Sequence, residues 1–353
     1  MPTKPVKIKK PKFSNEVTRL SNNNDLDFPE REEKKFSIRN TFGLDLGPEK
    51  DDEGNTILDD KGNPKLKDKF IQGYESPTEH TPTLKPNYVF SKDETLAVLM
   101  GMTGQDPILL VGHTGTGKTS MIEQIAARLN FNCVKISFDG AVSRNDIIGE
   151  WVVKGKDMVY QYGIIPIAFR MPGTLIILDE WDAQDEETAF VLQRPLQKED
   201  RKVFLLDTLE LIPMHPSNII CATANTNGQG DDTGLYSQGT RVQSYAQLNR
   251  FAITVRLDYL SPEAEKKLIN EEYPDLYDDE TDSLVVAVNK VRDGFSNGQL
   301  SVPLSTRDLL NWSDKYLKFG DAMKAARFCF LNRMNLEDAR VCEGIIQRAF
   351  EDR

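Results

Sequence analysis

Short, largely apolar runs recur through the middle of the chain, and a polar segment follows each of them. The runs lie at residues 108–111, 133–138, 174–178, 219–224 and 252–257. Runs of this length between turn residues are typical of strands that are buried on both faces of a parallel sheet. Helical periodicity separates several of them, as at residues 120–129. The pattern therefore predicts an α/β domain in which a parallel sheet is flanked by helices.

Two segments of this region predict β-hairpins inserted into the domain. Residues 149–163 carry apolar residues on both sides of a polar turn, and they interrupt a helical pattern that starts at Ser143 and resumes at Ile167. Residues 203–212 place two apolar runs around Asp207 and the threonine that follows it. Strand-like runs on both sides of a short turn are typical of a hairpin.

After Ser261 the pattern is wholly helical, and we place a domain boundary near residues 258–261. Residues 261–353 are predicted to form a small all-α lid domain. Ser305 or Thr306 can cap one of its helices, which places Arg307 in the first helical turn. Because a positive residue there opposes the helix dipole, we expect Arg307 to face an anion.

The run at residues 108–111 leads into the phosphate-binding motif GxxxxGK[ST], and a helical pattern follows the motif. Its glycines let the backbone bend so that successive N–H groups point at phosphates, and the helix N-terminus adds partial positive charge. Lys118 is predicted to reach the β- and γ-phosphates, and Thr119 to ligate Mg²⁺. The predicted nucleotide-binding residues are Gly112, His113, Thr114, Gly115, Thr116, Gly117, Lys118, Thr119, Ser120 and Asp179.

Two other runs end in polar side chains that suit phosphate chemistry. Asp179 and Glu180 follow one apolar run, and Asn225 ends another. Since ligands lie beyond the carboxyl ends of the strands in an α/β sheet, Asp179 is predicted to hold Mg²⁺ and Glu180 to orient or deprotonate the attacking water. Asn225 is the candidate sensor of the γ-phosphate and the water, and Thr223 is a weaker candidate.

Arg250 lies where the chain changes from polar to apolar, just before the run at residues 252–257. An isolated arginine is by default a surface residue. In a ring of nucleotide-binding subunits, Arg250 is instead a candidate for a finger that is supplied to a neighbour's ATP, where it stabilises developing phosphoryl charge.

The first 85 residues are organised differently. Residues 1–35 begin with a cluster of lysines and contain few large apolar side chains, so they are predicted to be a disordered basic and polar tail. Residues 36–85 form an N-terminal extension. Within it, residues 48–69 are a polar insertion rich in turn signals, predicted to be a small exposed hairpin or a flexible loop. Residues 86–260 are assigned to the nucleotide-binding domain.

Composition narrows the classes of function. The chain has 353 residues and a formal net charge of −11, which argues against broad nucleic-acid binding by the whole surface. No apolar run approaches the ~20 residues of a membrane span, and the N-terminus lacks the apolar core of a signal peptide, so we expect a cytoplasmic protein without a membrane partner. Its cysteines and histidines are scattered, so neither a zinc site nor a histidine metal site is expected.

The phosphate-binding loop, the acidic strand end, the Asn-tipped strand, the late arginine and the helical lid together resemble an AAA+ ATPase. The two predicted hairpins look like the inserts of its MoxR and metal-chelatase branch. Within that branch the chain resembles the CobS family, the AAA+ small subunits of aerobic cobaltochelatase. This closer resemblance lies in residues 41–45, 88–90 with 95–97, 143–149, 222–226 and 232–236.

The resemblance implies an ATPase that uses ATP and Mg²⁺ and assembles into a homo-oligomeric ring, a hexamer. By the same resemblance, the residues that act on their own subunit's nucleotide are Lys118, Thr119, Asp179, Glu180 and Asn225. Arg250 is the finger for the neighbouring subunit, and Arg307 is the lid sensor. The implied partners are a chelatase subunit with a von Willebrand A-type domain and a large catalytic subunit that inserts Co²⁺ into a corrin precursor. Cobalt and the tetrapyrrole would be handled by those partners.

Three features depart from the family pattern. Asn249 precedes Arg250 where the family commonly has Asp, and both the insertion at residues 48–69 and the lysine-rich tail are atypical. They leave the partner and the pathway open. The alternative is a MoxR-like ATPase, of a kind that phages also encode, that remodels another protein or complex. A third hypothesis, a nucleotide-gated structural or nucleic-acid-binding assembly, is favoured by the lysine tail alone.

Overall fold

The computed structural model describes residues 27–138, 142–228, 240, 241 and 243–351. In this part of the chain the strands are β1 (Glu33–Ser37), β2 (Phe70–Tyr74), β3 (Ile108–Val111), β4 (Asn132–Ser137), β5 (Gly149–Lys154), β6 (Asp157–Tyr162), β7 (Thr174–Asp179), β8 (Lys202–Leu205), β9 (Glu210–Pro213), β10 (Ile219–Ala224) and β11 (Ile253–Arg256). The helices are α1 (Ile38–Phe42), α2 (Lys92–Gly104), α3 (Lys118–Leu129), α4 (Arg144–Ile148), α5 (Ile164–Arg170), α6 (Glu186–Leu192), α7 (Tyr245–Leu248), α8 (Pro262–Glu272), α9 (Asp278–Ser296), α10 (Thr306–Phe319), α11 (Ala322–Cys329) and α12 (Leu336–Glu351). Within these residues every element after β11 is helical.

The five apolar runs form one parallel sheet in the order β11–β3–β10–β7–β4. Side chains on both faces of its inner strands are fully buried, as at Leu110 and Ile176. The predicted fold, a parallel sheet flanked by helices and followed by a helical region, is confirmed. The register pairs Val111 with Ala224 and Leu178 with Ala222. The segments that follow β3, β10 and β7 therefore share one edge of the sheet.

Both predicted hairpins are present. Strands β5 and β6 pair antiparallel between α4 and α5, which together form the interrupted helix that the sequence predicts. Helix α4 begins with a capping box in which Ser143 and Asp146 exchange hydrogen bonds. Strands β8 and β9 form the second hairpin. The hydroxyl of Tyr162 donates to the carboxylate of Glu210 at 2.8 Å, so the two hairpins are in contact.

Strand β1 begins within the predicted polar tail. Glu33, Lys34 and Lys35 were expected from their polarity to lie in the tail, but they form the first three residues of β1. Antiparallel pairing with β2 stabilises their backbone, and the ammonium of Lys34 forms an ion pair with Glu75 at 3.0 Å. The lysine cluster that starts the predicted tail lies outside the described residues.

The insertion at residues 48–69 contains two similar tight turns, eight residues apart. The carboxylate of Asp51 accepts hydrogen bonds from the backbone N–H groups two and four residues ahead, at 3.1 and 2.8 Å. Asp59 makes the equivalent pair of bonds at 2.9 and 2.9 Å. Isolated antiparallel bridges connect the segments around these turns. The insertion is therefore a short bridged structure built from polar turns.

The C-terminal helices pack around Trp312, which is fully buried. Its indole N–H donates to the carbonyl of Ala322 at 2.9 Å, and its ring packs edge-on against Phe330. Of the two caps proposed for α10, Ser305 is the one observed, since its hydroxyl accepts from the backbone N–H of Asp308 at 3.2 Å. No helix in the described part of the chain has the length and apolar character that crossing a membrane requires.

Candidate functional site

The loop after β3 surrounds the ammonium of Lys118, the first residue of α3. This ammonium donates to the carbonyl oxygens of Gly112 at 2.7 Å and His113 at 3.0 Å. It also donates to Oδ1 of Asn225 at 3.0 Å. The Lys118 side chain is buried, and its hydrogen bonds within the described residues all go to neutral oxygen atoms. The loop therefore holds a positive charge that its nearest neighbours do not neutralise.

Burial lowers the pKa of Lys118 to about 8. The nearby carboxylates of Asp182, Asp179 and Glu180 act in the opposite direction and raise this pKa. A bound anion would favour the charged ammonium in the same way. The buried lysine therefore fits a phosphate group, whose negative charge would offset the cost of burying the ammonium.

The backbone of the loop has the shape that its glycines permit. Gly115 has φ of 80° and Gly117 has φ of 90°, a region that residues with a side chain rarely adopt. A Cβ atom on Gly115 would lie 2.3 Å from the Cβ of Ser305, so this glycine also lets the lid approach the loop. The hydroxyl of Thr116 closes the loop by donating to the carbonyl of His113 at 2.8 Å. Ser120 is half-buried on the first turn of α3, and a helix N-terminus favours anions.

Asp179 is held between two hydroxyl groups. Its Oδ1 accepts from Oγ1 of Thr119 at 2.7 Å and from Oγ1 of Thr223 at 2.5 Å. A hydroxyl beside a carboxylate is the oxygen chemistry that Mg²⁺ prefers, and Mg²⁺ commonly uses only one or two protein carboxylates with substrate phosphates. Thr119 and Asp179, predicted separately from two motifs, therefore lie together as a donor set that fits Mg²⁺.

Glu180 is exposed at the end of β7 in a left-handed backbone conformation, with φ of 57° and ψ of 44°. A residue with a side chain loses about 1–2 kcal/mol in that conformation. Its backbone N–H donates to Oγ1 of Thr223 at 3.2 Å. The next residue, Trp181, is buried against Phe138 and Phe251, and it anchors the turn. The carboxylate of Glu180 thus stands at the surface on a fixed backbone.

Asn225 closes the site from the end of β10. Its Oδ1 accepts from the ammonium of Lys118 at 3.0 Å and lies 3.4 Å from Oγ1 of Thr114. The structure therefore brings together the residues that follow three separate strands. The link between β7 and β10 is Thr223, which sequence reasoning ranked as the weaker candidate.

Sequence reasoning missed Asp182, a fully buried aspartate two residues after Glu180. Its Oδ2 accepts from the backbone N–H groups of Asn225 at 3.0 Å and Thr226 at 2.9 Å, and from the hydroxyl of Thr226 at 3.0 Å. The available signal was weak: one more acid in a short turn after the acidic strand end.

Arg307 lies on the lid side of a cleft of about 420 Å³. The lining of this cleft includes Thr114 of the loop and Tyr259, Asn311 and Arg333. Arg307 is near enough to Lys118 to lower the pKa of that lysine. The loop and the predicted lid arginine therefore face a common cleft.

A buried ion pair organises this lid wall. The guanidinium of Arg292 donates to both carboxylate oxygens of Glu265, at 2.7 and 2.9 Å. The same carboxylate accepts from the hydroxyl of Thr306 at 2.8 Å, one residue before Arg307. Arg292 also lies 4.1 Å from the ring centre of Tyr259. The sequence offered no signal for this pair, because both members lie within ordinary helical patterns.

Tyr259 connects this ion pair to the loop. Its hydroxyl lies 3.4 Å from the carbonyl oxygen of Thr114, and its ring stacks near the imidazole of His113 with centres 6.5 Å apart. His113 also packs edge-on against Phe295 of the lid. Two of the loop residues predicted to bind nucleotide thus have neighbours beyond the sheet: His113 contacts Phe295 of the lid, and Thr114 lies beside Tyr259 at the domain boundary.

The described side-chain contact of Arg250 lies outside the loop. Arg250 precedes β11, whose first residue, Ile253, pairs with Ile108 at the amino-terminal end of β3. The loop follows the opposite end of β3. The Nη1 of Arg250 donates to the carbonyl of Gln193 at 3.0 Å. The Nε of Arg250 is buried and has no hydrogen-bond partner among the described residues. The structure does not bring Arg250 to the loop of its own chain.

The thiols of this chain are suited to a packed interior. Burial raises the pKa of Cys221 to about 12 and that of Cys342 to about 11, so both thiols stay protonated near neutral pH.

Within the described residues, no group of three or more His, Cys, Asp or Glu side chains could hold a metal ion. Residues 232–236, which carry part of the closer family resemblance, lie outside the described residues.

Comparison with known proteins gives a consistent family signal. Residues 107–238 match the family described as AAA domain (dynein-related subfamily). Over 335 residues the chain is 35% identical to the aerobic cobaltochelatase subunit CobS of a Sinorhizobium species, which covers 92% of this chain and 93% of that protein.

Two further relatives are more distant. NorQ of Paracoccus denitrificans is 28% identical over 223 residues, or 63% of this chain and 77% of NorQ. The denitrification regulatory protein NirQ of Stutzerimonas stutzeri is 28% identical over 166 residues, or 47% of this chain and 56% of NirQ.

Proposed function

The chain belongs to the CobS family of AAA+ ATPases, in the MoxR-type branch, and we propose that it is the ATP-hydrolysing motor subunit of a cobaltochelatase-like complex. The observation that carries this proposal is the 35% identity to CobS over 92% of the chain. The geometry around Lys118 supports the ATPase part of it, because a buried ammonium, a loop bent at glycines with positive φ and a hydroxyl–carboxylate pair converge at one edge of the sheet.

Bound Mg²⁺–ATP would supply the phosphoryl group and a cation that draws charge from it. Lys118 would exchange its hydrogen bonds to loop carbonyls for bonds to phosphate oxygens, which would pair its charge with an anion in place of neutral oxygen atoms. Thr119 and Asp179 would hold Mg²⁺ through the two oxygens that already lie 2.7 Å apart. Arg307 would add positive charge from the lid side of the cleft.

Glu180 is proposed as the base that orients and deprotonates the attacking water. Its carboxylate is exposed, whereas its backbone is held by Thr223 and the buried Trp181. A positioned base contributes typically 10²–10⁴-fold to rate. Asn225 would hold the water or the γ-phosphate with its amide, which Lys118 and Thr114 already orient.

Arg250 is proposed to serve the ATP of a neighbouring copy. Its guanidinium donates to the carbonyl of Gln193, and no described hydrogen bond joins it to the loop of its own chain. An arginine supplied in trans is worth 10³–10⁵-fold in phosphoryl-transfer rate where it has been measured. We accordingly propose a homo-oligomeric, hexameric ring in which each site lies between two copies.

The proposed partners are the two larger subunits of a chelatase: one with a von Willebrand A-type domain and one that inserts Co²⁺ into a corrin precursor. In this scheme cobalt is the cargo of the partners, and the chain supplies motion from ATP hydrolysis. The proposal rests on similarity to a protein named as a cobaltochelatase subunit.

Co-purification with these two subunits tests the proposal. We expect ATP-dependent association of the wild-type chain and none of the Lys118→Ala variant. A reconstituted complex should insert cobalt only when this chain and ATP are both present. Cobalt insertion at the same rate without the chain would refute the motor role, even if the chain hydrolyses ATP.

The similarity to NorQ and NirQ favours a second candidate, an ATPase that remodels another protein or complex. Neither relative is named for a chelatase. The same reconstitution separates the two functions: ATP hydrolysis that is stimulated by a different von Willebrand A protein, with no effect on cobalt insertion, would support the second.

A further inference from the structure

We propose that Asp182 is a positioning residue that holds the Asn225 sensor against Lys118 and joins it mechanically to the turn that carries Glu180. This inference rests on the proposed ATPase function for its catalytic consequence. Its structural part, the control of the backbone at Asn225, stands on contacts alone.

The contacts of Asp182 are concentrated on one oxygen. Oδ2 accepts three hydrogen bonds of 2.9–3.0 Å, from the backbone N–H groups of Asn225 and Thr226 and from the Thr226 hydroxyl. The side chain is 0% exposed. Hydrogen bonds to a buried carboxylate are charge-assisted, and removing the acceptor would take this partner from the N–H of half-buried Asn225 and from that of buried Thr226. The segment just beyond β10 is therefore fixed through this one carboxylate.

Asn225 is held from two sides as a result. Its backbone N–H is bound by Asp182, while its side-chain Oδ1 accepts from the ammonium of Lys118. Loss of the first contact would free the backbone and let the amide leave the loop. Because an oriented group loses much of its effect when displaced by about 1 Å, this position matters more than the small energy of one bond suggests.

The same residue belongs to the Glu180 turn. The carbonyl of Glu180 accepts from the N–H of Ala183 at 2.8 Å, which closes a single 3₁₀ turn over Trp181–Ala183. The carbonyl of Asp182 accepts from the N–H of Arg241 at 2.8 Å. A movement of Asn225 is therefore transmitted to the backbone that carries Glu180 through one buried side chain.

The second oxygen of Asp182 makes a matched substitution possible. Oδ1 is buried and has no hydrogen-bond partner among the described residues. Asp182→Asn can keep an acceptor at the Oδ2 position and place its NH₂ group at the Oδ1 position. Asp182→Ala removes the acceptor altogether. The pair separates the loss of an acceptor from the loss of a charge.

Hydrogen exchange of the wild-type chain and the Asp182 variants tests the structural part without nucleotide. We expect Asp182→Ala to speed exchange of the amides at Asn225 and Thr226 by at least about tenfold, with the β3 amides unchanged. Asp182→Asn should stay close to wild type. Unchanged exchange at both amides in the alanine variant would overturn the proposal.

ATP turnover of single and double variants tests the catalytic part. By comparison with removal of one preorganised donor, Asp182→Ala should lower kcat roughly 100-fold with little change in ATP affinity. In an Asn225→Ala background the Asp182→Ala substitution should have almost no further effect on kcat. The Asn225 amide that Asp182 positions is already absent there. Equal losses in the two backgrounds would contradict action through Asn225.

A buried aspartate of the lid provides the control. Asp338 is 5% exposed and accepts from the backbone N–H of Ser301 at 3.1 Å and the amide of Asn335 at 2.9 Å. Asp338→Ala should destabilise the protein without altering kcat or exchange at Asn225.

If Asp182→Ala does not fold, Thr226→Val removes one hydrogen-bond donor to Asp182 and should lower kcat several-fold. Its effect on kcat should also be non-additive with Asn225→Ala, and full additivity would overturn the proposal. Accelerated exchange in a chain that never hydrolyses ATP would instead refute the proposed function alone.

Discussion

The sheet side and the lid side of the candidate site are built in different ways. On the sheet side, Lys118, Asp179 and Asn225 come from three neighbouring strand ends, and each contact follows from the strand order. On the lid side, the contacts depend on one buried ion pair between Arg292 and Glu265, whose members are 27 residues apart. The sheet-side groups are thus placed by separate strand ends, whereas Thr306 and Tyr259 on the lid side share contacts with one buried ion pair.

This difference predicts different responses to mutation. Each strand end supports its own group, so changes on the sheet side should alter chemistry without disturbing the lid. The ion pair supports both Thr306, next to Arg307, and Tyr259, next to the loop. A change there should therefore move several groups at once.

The largest effect is expected from Lys118→Ala. Removing the ammonium leaves phosphate oxygens without their main cation, and hydrogen bonds to charged groups contribute about 1.5–3 kcal/mol each. Nucleotide binding should fall below detection in a titration of fluorescent ATP. Lys135→Ala, which removes a half-exposed ammonium paired with Glu123 at 3.1 Å, is the control and should bind normally. Tight binding by the Lys118 variant would show that the loop does not hold the phosphates.

Glu180→Gln should separate binding from chemistry. The amide keeps the shape of the side chain but cannot accept the proton, so hydrolysis should fall by roughly 10²–10⁴-fold. ATP affinity should stay within a few-fold of wild type, and the lid should unfold at an unchanged temperature. Glu187→Gln, an exposed substitution on α6, is the matched control. Brisk turnover by the Glu180 variant would remove this residue from the mechanism.

Breaking the lid ion pair should reduce stability first and hydrolysis second. Arg292→Met alone leaves a buried carboxylate unpaired and should cost about 3–5 kcal/mol, measured by denaturant unfolding. The double variant Arg292→Met with Glu265→Met should recover most of this stability, since apolar replacement of a buried pair is often neutral. It should still hydrolyse ATP roughly tenfold more slowly, because Thr306 loses its acceptor and a tenfold loss is only about 1.4 kcal/mol.

Normal hydrolysis in the stable double variant would mean that the ion pair serves the fold of the lid alone. The lid would then position Arg307 without the contact between Arg292 and Glu265. Thr306→Val offers a milder version of the same test, with a loss of about 1 kcal/mol expected for one hydrogen bond.

The smallest effect is the pH dependence of ATP affinity. The pKa of Lys118 is about 8 in the nucleotide-free site, and phosphate favours its charged form. As pH rises through 8, the free lysine loses its proton and binding must restore it, so affinity should fall by about tenfold between pH 7 and pH 9. Calorimetry in two buffers of different ionisation enthalpy should detect uptake of nearly one proton at pH 9. Flat affinity without proton uptake would contradict the buried, depressed lysine.

The fold and most of the sheet-side site were predictable because their signals are local. A buried strand followed at once by Asp179, or by Asn225, carries its position in the sheet within a few residues. The contact of Thr119 with Asp179 followed from combining two such motifs. The pairing of residues 33–35 with β2 was not predictable, because the polarity of these residues gives no sign of a backbone contact with a distant strand.

Asp182 and the lid ion pair were missed for a related reason. An acid in a polar turn is usually exposed, and only the position of β10 beside β7 places Asn225 over Asp182. Arg292 and Glu265 satisfy helical patterns as surface residues would, and only helix packing buries them together. A sequence pattern shows which residues precede and follow a position along the chain. These contacts depend instead on which residues lie opposite that position in the folded protein.

The most direct test of the account is ATP hydrolysis by mixed assemblies of Glu180→Gln and Arg250→Ala chains. Each variant alone should be nearly inactive, since one lacks the proposed base and the other the proposed finger. In a mixture, a site with an intact Glu180 can face a neighbour with an intact Arg250, so we predict that hydrolysis recovers. No recovery in assemblies shown to contain both variants would contradict an ATP site shared between adjacent copies.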